Sequence, residues 1–173
     1  GCPAASDTAV ALARALVDSE RLTFGGLHVY HGGIQHLRSS AERMSAVNVG
    51  PASAAESTAA RLRAAGIDIP LVTGGGTGTF LQDIAAGTHG EVQPGSYLLM
   101  DGDYAGNADA QHKGFVQSLF IHTTVISADD ALGRRVVDAG SKAVDLVSGN
   151  PRPTALNDDA LAALLADVGY TSG

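Results

Sequence analysis

The chain has 173 residues, 45% of them hydrophobic and 17% charged, enough for one domain or one and part of another around a real core. A formal net charge of −7 argues against nucleic acid or an anionic membrane as a partner, since both want a basic face. No apolar run approaches the ~18 residues needed to span a bilayer, and a single cysteine, Cys2, excludes an internal disulfide and a cysteine-based zinc cluster; with no charged-then-apolar leader, the expected compartment is the cytoplasm.

In chain order, apolar residues at Ala9, Val10, Ala13, Leu16 and Val17 predict an amphipathic helix within Ala4 to Glu20, with Ser6 or Asp7 as N-cap. Leu22 to Tyr30 predicts a buried strand entered through Gly25-Gly26. Leu37 to Val47 predicts a short helix that Asn48-Val49-Gly50-Pro51 interrupts, with Pro51 opening a second helix along Ala55, Thr58, Ala59, Leu62 and Ala65 up to Gly66. A second strand is expected over Ile67 to Thr73, a turn over Leu81 to Ala86, and a third strand over Glu91 to Met100. Strand and helix alternate, and polar residues gather at the strands' C-terminal ends, where parallel α/β folds bind ligands. This order predicts an α/β fold: part of a (β/α) barrel or an open parallel sheet. Beyond Asp101 the character changes. Phe115 to Ser127 and Arg134 to Val144 predict antiparallel strands of a second, mostly β domain starting near residue 110. Asn157-Asp158-Asp159 is expected to cap a last helix with Leu161, Leu164, Leu165 and Val168 inward.

The most informative stretch is Val72-Thr73-Gly74-Gly75-Gly76-Thr77-Gly78-Thr79, read with Glu91-Val92-Gln93-Pro94-Gly95-Ser96-Tyr97. Glycine lets consecutive N–H groups turn toward one point, and Thr hydroxyls add donors at the rim. Such a loop suits a phosphate; a tight exposed turn is the alternative. The second stretch repeats the pattern of strand and Gly-Ser turn, so two loops could share one phosphate. His28, His31 and His36 lie close in sequence, but His28 and His31 point to opposite faces of a strand, which is wrong for a compact metal pair. Tyr30 suits an aromatic ligand or a core, and Gln93 a ring nitrogen or an ordinary loop. Asp101, Asp103 and Tyr104 suit a cation or a plain turn. Lys113 and Lys142 are the two lysines, and neither context supplies the desolvation a Schiff-base lysine needs.

Taken together, Gly26-Leu27-His28-Val29-Tyr30-His31-Gly32, the glycine loop through Phe80, Glu91 to Tyr97 with Met100-Asp101 and Asp103-Tyr104, and Val137-Asp138-Ala139-Gly140-Ser141-Lys142 resemble the D-threonine aldolase and D-serine dehydratase family. These are pyridoxal-phosphate enzymes of the alanine-racemase fold type. The resemblance implies a (β/α)8 barrel followed by a β-rich domain, with residues 1–109 as the second part of the barrel and 110–173 as an incomplete β domain. It implies that Tyr30 packs against the pyridine ring. Gly75, Gly76 and Thr77, with Gly95, Ser96 and Tyr97, would cradle the phosphate, and Gln93 would lie near the pyridine nitrogen. The implied activity is a lyase acting on D-3-hydroxy amino acids, D-threonine aldolase-like, with a dehydratase or racemase as alternatives. A divalent metal (Mn, Mg or Zn) is implied as well. The Schiff-base lysine is expected upstream of Gly1 and the metal ligands just after Gly173, so no catalytic or metal residue is assigned in this chain. It is read as an excerpt lacking the first half of its barrel, with a homodimer as a further expectation. The alternative from another class is a non-catalytic phosphate-binding module.

Overall fold

A computed structural model describes residues 1–107, 114–155 and 158–171. They divide into two compact units, 1–99 with 106–107 and 114–116, and 100–105 with 117–155 and 158–171.

The first unit is α/β. Helix α1 (Asp7–Val17) starts where the Ser6 side chain accepts a hydrogen bond from the Ala9 N–H at 3.2 Å, and it buries Ala9 and Ala13. Strand β1 is confined to Leu27–Val29, shorter than the expected Leu22 to Tyr30. The register explains why. Leu27, His28 and Val29 pair in parallel with Val72, Thr73 and Gly74 of β2 (Val72–Gly74), and the preceding Pro70 has no N–H with which to lengthen the ladder. Leu22 is accordingly 59% exposed.

Between these strands the expected break at residues 48–51 does not occur. Helix α2 (Ser40–Val47) opens with a Ser39…Glu42 capping pattern and runs through a π-helical turn, Asn48–Ala52, into α3 (Ser53–Ala64) with αR dihedrals at each junction. Pro51 removes one backbone donor, and the wider π turn absorbs the misfit without ending the helix. Helix α3 buries Ala55, Thr58, Ala59 and Leu62, the face expected from spacing. It ends in a Schellman motif: the Gly66 N–H donates to the Arg63 carbonyl and the Ile67 N–H to the Leu62 carbonyl, both at 2.9 Å.

The expected turn at 81–86 is a helix, α4 (Phe80–Ala86), started at Thr79 and stopped at Gly87. Strand β3 (Glu91–Val92) pairs in parallel with β2, giving the order β1-β2-β3. It ends far short of Met100, because Pro94 cannot donate to a ladder and the chain leaves the sheet for a 3-10 turn at Ser96–Leu98. Two apolar clusters hold the unit. Ala13, Leu62 and Ile67 join α1 and α3 with Phe24 and Leu27; Ile34, Val47 and Ala52 join the π turn with Leu37 and Ala86.

In the second unit, the short helix α5 (Gly102–Ala105) is followed by β4 (Val125–Asp129), which pairs antiparallel with β5 (Arg134–Val137) across a turn containing Gly133. The alternating residues 115–124 form no strand; no described residue offers them a ladder, and Val116 and Ile121 are exposed. Helix α6 (Asp159–Leu165) is capped by Asp158, whose carboxylate accepts from the Leu161 N–H at 2.9 Å. Asn157 lies outside the described residues, as does Lys113. Leu161 and Val168 are exposed at 44% and 48%, contrary to the expected inward face; seven residues make barely two turns, too few to bury a full stripe. Among the described residues no helix is long and apolar enough to cross a membrane.

Candidate functional site

Parallel pairing brings the C-terminal ends of β1, β2 and β3 to one edge of the sheet, so the loops that follow them converge. The loop after β2 is the glycine run. Gly75 takes φ +70°, a left-handed conformation that a side chain would strain, and a Cβ there would sit 2.6 Å from Asp83 Oδ2. Gly78 is required for a different reason: a Cβ would sit 2.0 Å from the Gln35 carbonyl oxygen. The Gly76 carbonyl accepts from the Thr79 and Phe80 N–H groups at 3.1 and 2.9 Å, turning the chain into α4.

The expected site residues fall around this loop. The Gln93 N–H donates to the Gly74 carbonyl at 2.9 Å, and the Tyr97 N–H donates to Thr77 Oγ1 at 3.1 Å. The loops after β2 and β3 are thus directly hydrogen-bonded to each other. Tyr30 follows β1, is 48% exposed, and its Oη lies 3.0 Å from where a Gly76 Cβ would be. Gly95 and Ser96 are exposed in the segment between Gln93 and Tyr97. The Tyr97 ring packs 5.5 Å from Phe115, which in turn lies 6.0 Å from Phe80. Gln93 is therefore bonded to Gly75, whose carbonyl accepts from its N–H at 3.3 Å, and Tyr97 to Thr77; Tyr30 joins them by contact, and Gly76, Gly95 and Ser96 by chain continuity.

The loop's amides are not all turned to solvent. The Gly78 N–H donates to Gln35 Oε1 at 3.0 Å, and the Gly76 N–H faces Thr79 Oγ1 at 3.5 Å, long for a hydrogen bond. Beneath them lies a polar layer that sequence reasoning missed. Gln35 is 1% exposed, Thr79 0% and Asp83 1%. Thr79 Oγ1 donates to Asp83 Oδ2 at 2.6 Å and accepts from Gln35 Nε2 at 2.9 Å. Asp83 Oδ1 is buried without a hydrogen-bond donor, its nearest ionisable neighbour being His89 Nδ1 at 3.8 Å. His89 is itself buried, with Nε2 3.3 Å from the Val29 carbonyl at the end of β1. The one available signal was Thr79 and Asp83 at i, i+4 on a helix start, the spacing that stacks side chains on one face. Gln35 and His89, in loops, carried no periodicity.

Other candidates resolve locally. An Asp101 carboxylate oxygen accepts from the Asp103 and Tyr104 N–H groups at 3.0 and 2.9 Å, capping α5 as a turn. His28, His31 and His36 are exposed, and among the described residues no group of three or more His, Cys, Asp and Glu could hold a metal ion. Lys142 is exposed in the second unit. Asp138, also in that unit, has its carboxyl held below the ordinary range, first by the Thr123 hydroxyl and then by the Thr124 N–H.

No protein-family model matches the chain. It is 40% identical over 167 residues to a D-threonine aldolase of Arthrobacter sp, covering 91% of this chain and 44% of that protein. It is 38% identical over 151 residues to a 3-hydroxy-D-aspartate aldolase of Paracoccus denitrificans (strain Pd 1222), covering 84% and 38%. Among solved structures, D-threonine aldolase from Filomicrobium marinum matches with a TM-score of 0.74 at 37% identity, over 86% of this chain and 39% of that one. D-threo-3-hydroxyaspartate dehydratase from Delftia sp. HT23 matches with a TM-score of 0.66 at 28% identity, over 82% and 37%. The chain spans less than half the length of the curated relatives it matches, and over that span it is a homologue of the D-threonine and 3-hydroxy-D-aspartate aldolases.

Proposed function

We propose that this chain supplies the ring and phosphate side of a pyridoxal-phosphate site in a (β/α) barrel lyase that cleaves D-3-hydroxy amino acids to glycine and an aldehyde. The observation that carries the reading is the pair of hydrogen-bonded loops, 74–79 and 93–97, at the C-terminal ends of parallel strands in a chain 40% identical to a D-threonine aldolase. The residues fit the group. A Cβ at Gly76 would sit 2.6 Å from Gln35 Oε1, so the loop main chain stays bare there. Hydroxyls at Thr77, Ser96 and Tyr97 and the amides of Gly95 and Ser96 are neutral donors suited to phosphate oxygens.

In this reading Tyr30 packs beside the pyridine ring, Gly75, Gly76, Thr77, Gly95, Ser96 and Tyr97 surround the phosphate, and Gln93 faces the pyridine nitrogen. The bound cofactor draws electrons from the amino acid's Cα and so loosens the bonds around it. A neutral amide at Gln93 can hydrogen-bond the nitrogen without forcing it to hold a proton. The Schiff-base lysine and the ligands of a divalent ion are assigned outside this chain, upstream of Gly1 and just after Gly173, on the resemblance to this family. Residues 1–109 as barrel and 110–173 as a β-rich domain, a D-amino acid as substrate, and a homodimer complete the proposal.

A dehydratase is the second reading, favoured by the structural match to D-threo-3-hydroxyaspartate dehydratase at 28% identity; the higher identities, 37–40%, are to aldolases. The test is to load the full-length protein, including the segments proposed to carry the lysine and metal ligands, with pyridoxal phosphate and a divalent metal and follow products from D-threonine and D-3-hydroxyaspartate. Glycine with an aldehyde supports the aldolase, ammonia with a keto acid the dehydratase, and failure to bind pyridoxal phosphate overturns both.

A further inference from the structure

Gln35 lies one turn beyond β1 and belongs to none of the motifs that point to the site, yet its side chain holds that site's two halves together. Nε2 donates to Thr79 Oγ1 at 2.9 Å and to the His31 carbonyl at 3.3 Å, and Oε1 accepts from the Gly78 N–H at 3.0 Å. Its backbone is anchored separately. The Gln35 carbonyl accepts from Asn107 Nδ2 at 2.9 Å, and Asn107 Oδ1 accepts from Arg38 Nη1 at 2.9 Å. The carboxamide has one permitted orientation. Thr79 gives its only hydroxyl proton to Asp83, so its oxygen must accept, and the NH2 end of Gln35 is the donor that meets it. The oxygen end is thereby aimed at the Gly78 N–H.

His31 adjoins Tyr30, and Gly78 adjoins Gly76-Thr77. One buried amide therefore spans from the loop carrying the ring residue to the loop carrying the phosphate residues. In pyridoxal phosphate the ring and the phosphate stand at a separation fixed by covalent bonds, so the spacing of these loops determines whether both ends are held at once. We propose that Gln35 is the positioning residue of this site, setting the distance between Tyr30 and Gly76-Thr77, with Asp83 orienting it through Thr79. The inference rests on the cofactor reading above.

The test compares Gln35→Leu and Gln35→Glu with the unaltered protein, measuring affinity for pyridoxal phosphate and, separately, for inorganic phosphate, which has no ring to register. Loss of Gln35 lowers affinity for pyridoxal phosphate about tenfold more than affinity for inorganic phosphate, the scale of one net hydrogen bond to a fixed group. Gln35→Glu keeps the shape, so it guards against simple unfolding. Ionised, it has no proton to give Thr79. Burial beside Asp83 raises its pKa above the free glutamate value of about 4.3, and as pH falls through that raised value it regains a proton, so its affinity relative to the unaltered protein at the same pH recovers, whereas Gln35→Leu does not. Equal losses for the two ligands, or no recovery in acid, would overturn the positioning role. An unaltered protein that binds phosphate but not pyridoxal phosphate would instead overturn the cofactor reading on which the role depends.

Discussion

Gly78→Ala tests most directly whether the glycine loop is a constructed element rather than a loose turn. The new methyl would sit 2.0 Å from the Gln35 carbonyl oxygen, 2.7 Å from its carbon and 2.8 Å from its Cα, all main-chain atoms that cannot swing aside. Either the 76–79 turn or the Gln35 segment must move. Overpacking of this kind costs about 1–3 kcal/mol. Displacing Gln35 also strains the Asn107 Nδ2 bond to its carbonyl and the Gly78 N–H bond to its Oε1, both buried, for roughly 1 kcal/mol or more in addition. The sum, about 2–4 kcal/mol, corresponds to a melting-temperature drop on the order of 10 °C for a unit of about a hundred residues. Urea and thermal unfolding followed by circular dichroism would measure it. Gly25→Ala is the control, because nothing lies within 4 Å of its added Cβ, and its effect should stay within about 0.5 kcal/mol. If Gly78→Ala melted within a degree of the unaltered protein, the packing described for the loop would be wrong.

Thr79→Val removes the hydroxyl that accepts from Gln35 and donates to Asp83, leaving two buried polar groups unmet; a loss of about 2–4 kcal/mol is expected by urea unfolding. Leu62→Ala hollows the cluster shared with Ala13 and Ile67 at a fully buried position, and should cost about 2–5 kcal/mol, again read from the urea midpoint. In the second unit, the lowered pKa of Asp138 gives stabilisation that is fully present above the ordinary aspartate value of about 3.9 and is lost as pH falls through the lower folded value. The stability difference between the unaltered protein and Asp138→Asn should therefore shrink on acidification, and a carboxyl-carbon NMR titration should show Asp138 protonating later than an unperturbed aspartate.

Much of the local architecture was legible because it follows from spacing along one segment. The Ala9-Ala13 and Ala55-Thr58-Ala59-Leu62 faces, the Ser6 cap and the helix stop at Gly66 each depend on residues within a few turns. The glycine run announced itself through composition alone. What spacing could not supply was anything that depends on a neighbouring strand or a packed layer. The three parallel strands shrank to two or three residues because ladder length depends on partners and on Pro70 and Pro94. The helix continued past Pro51 because Val47 and Ala52 share a core cluster whose burial, together with a π turn, outweighs one missing donor.

The sequence by itself thus determined the alternation of helix and strand, the placing of Tyr30, Gly75, Gly76, Thr77 and Gln93 at strand ends, and the resemblance those residues carry. Only the tertiary structure decided which loops meet and what supports them. Tyr97 reaches Thr77 across 20 positions, and Gln35 reaches Gly78 and Thr79 across 43 and 44. The reason is physical. A helix face or a cap is set by dihedral preferences and periodicity within one segment, whereas a buried amide or carboxylate finds its partner only when parallel pairing brings distant loops to the same edge of the sheet and excludes water from between them.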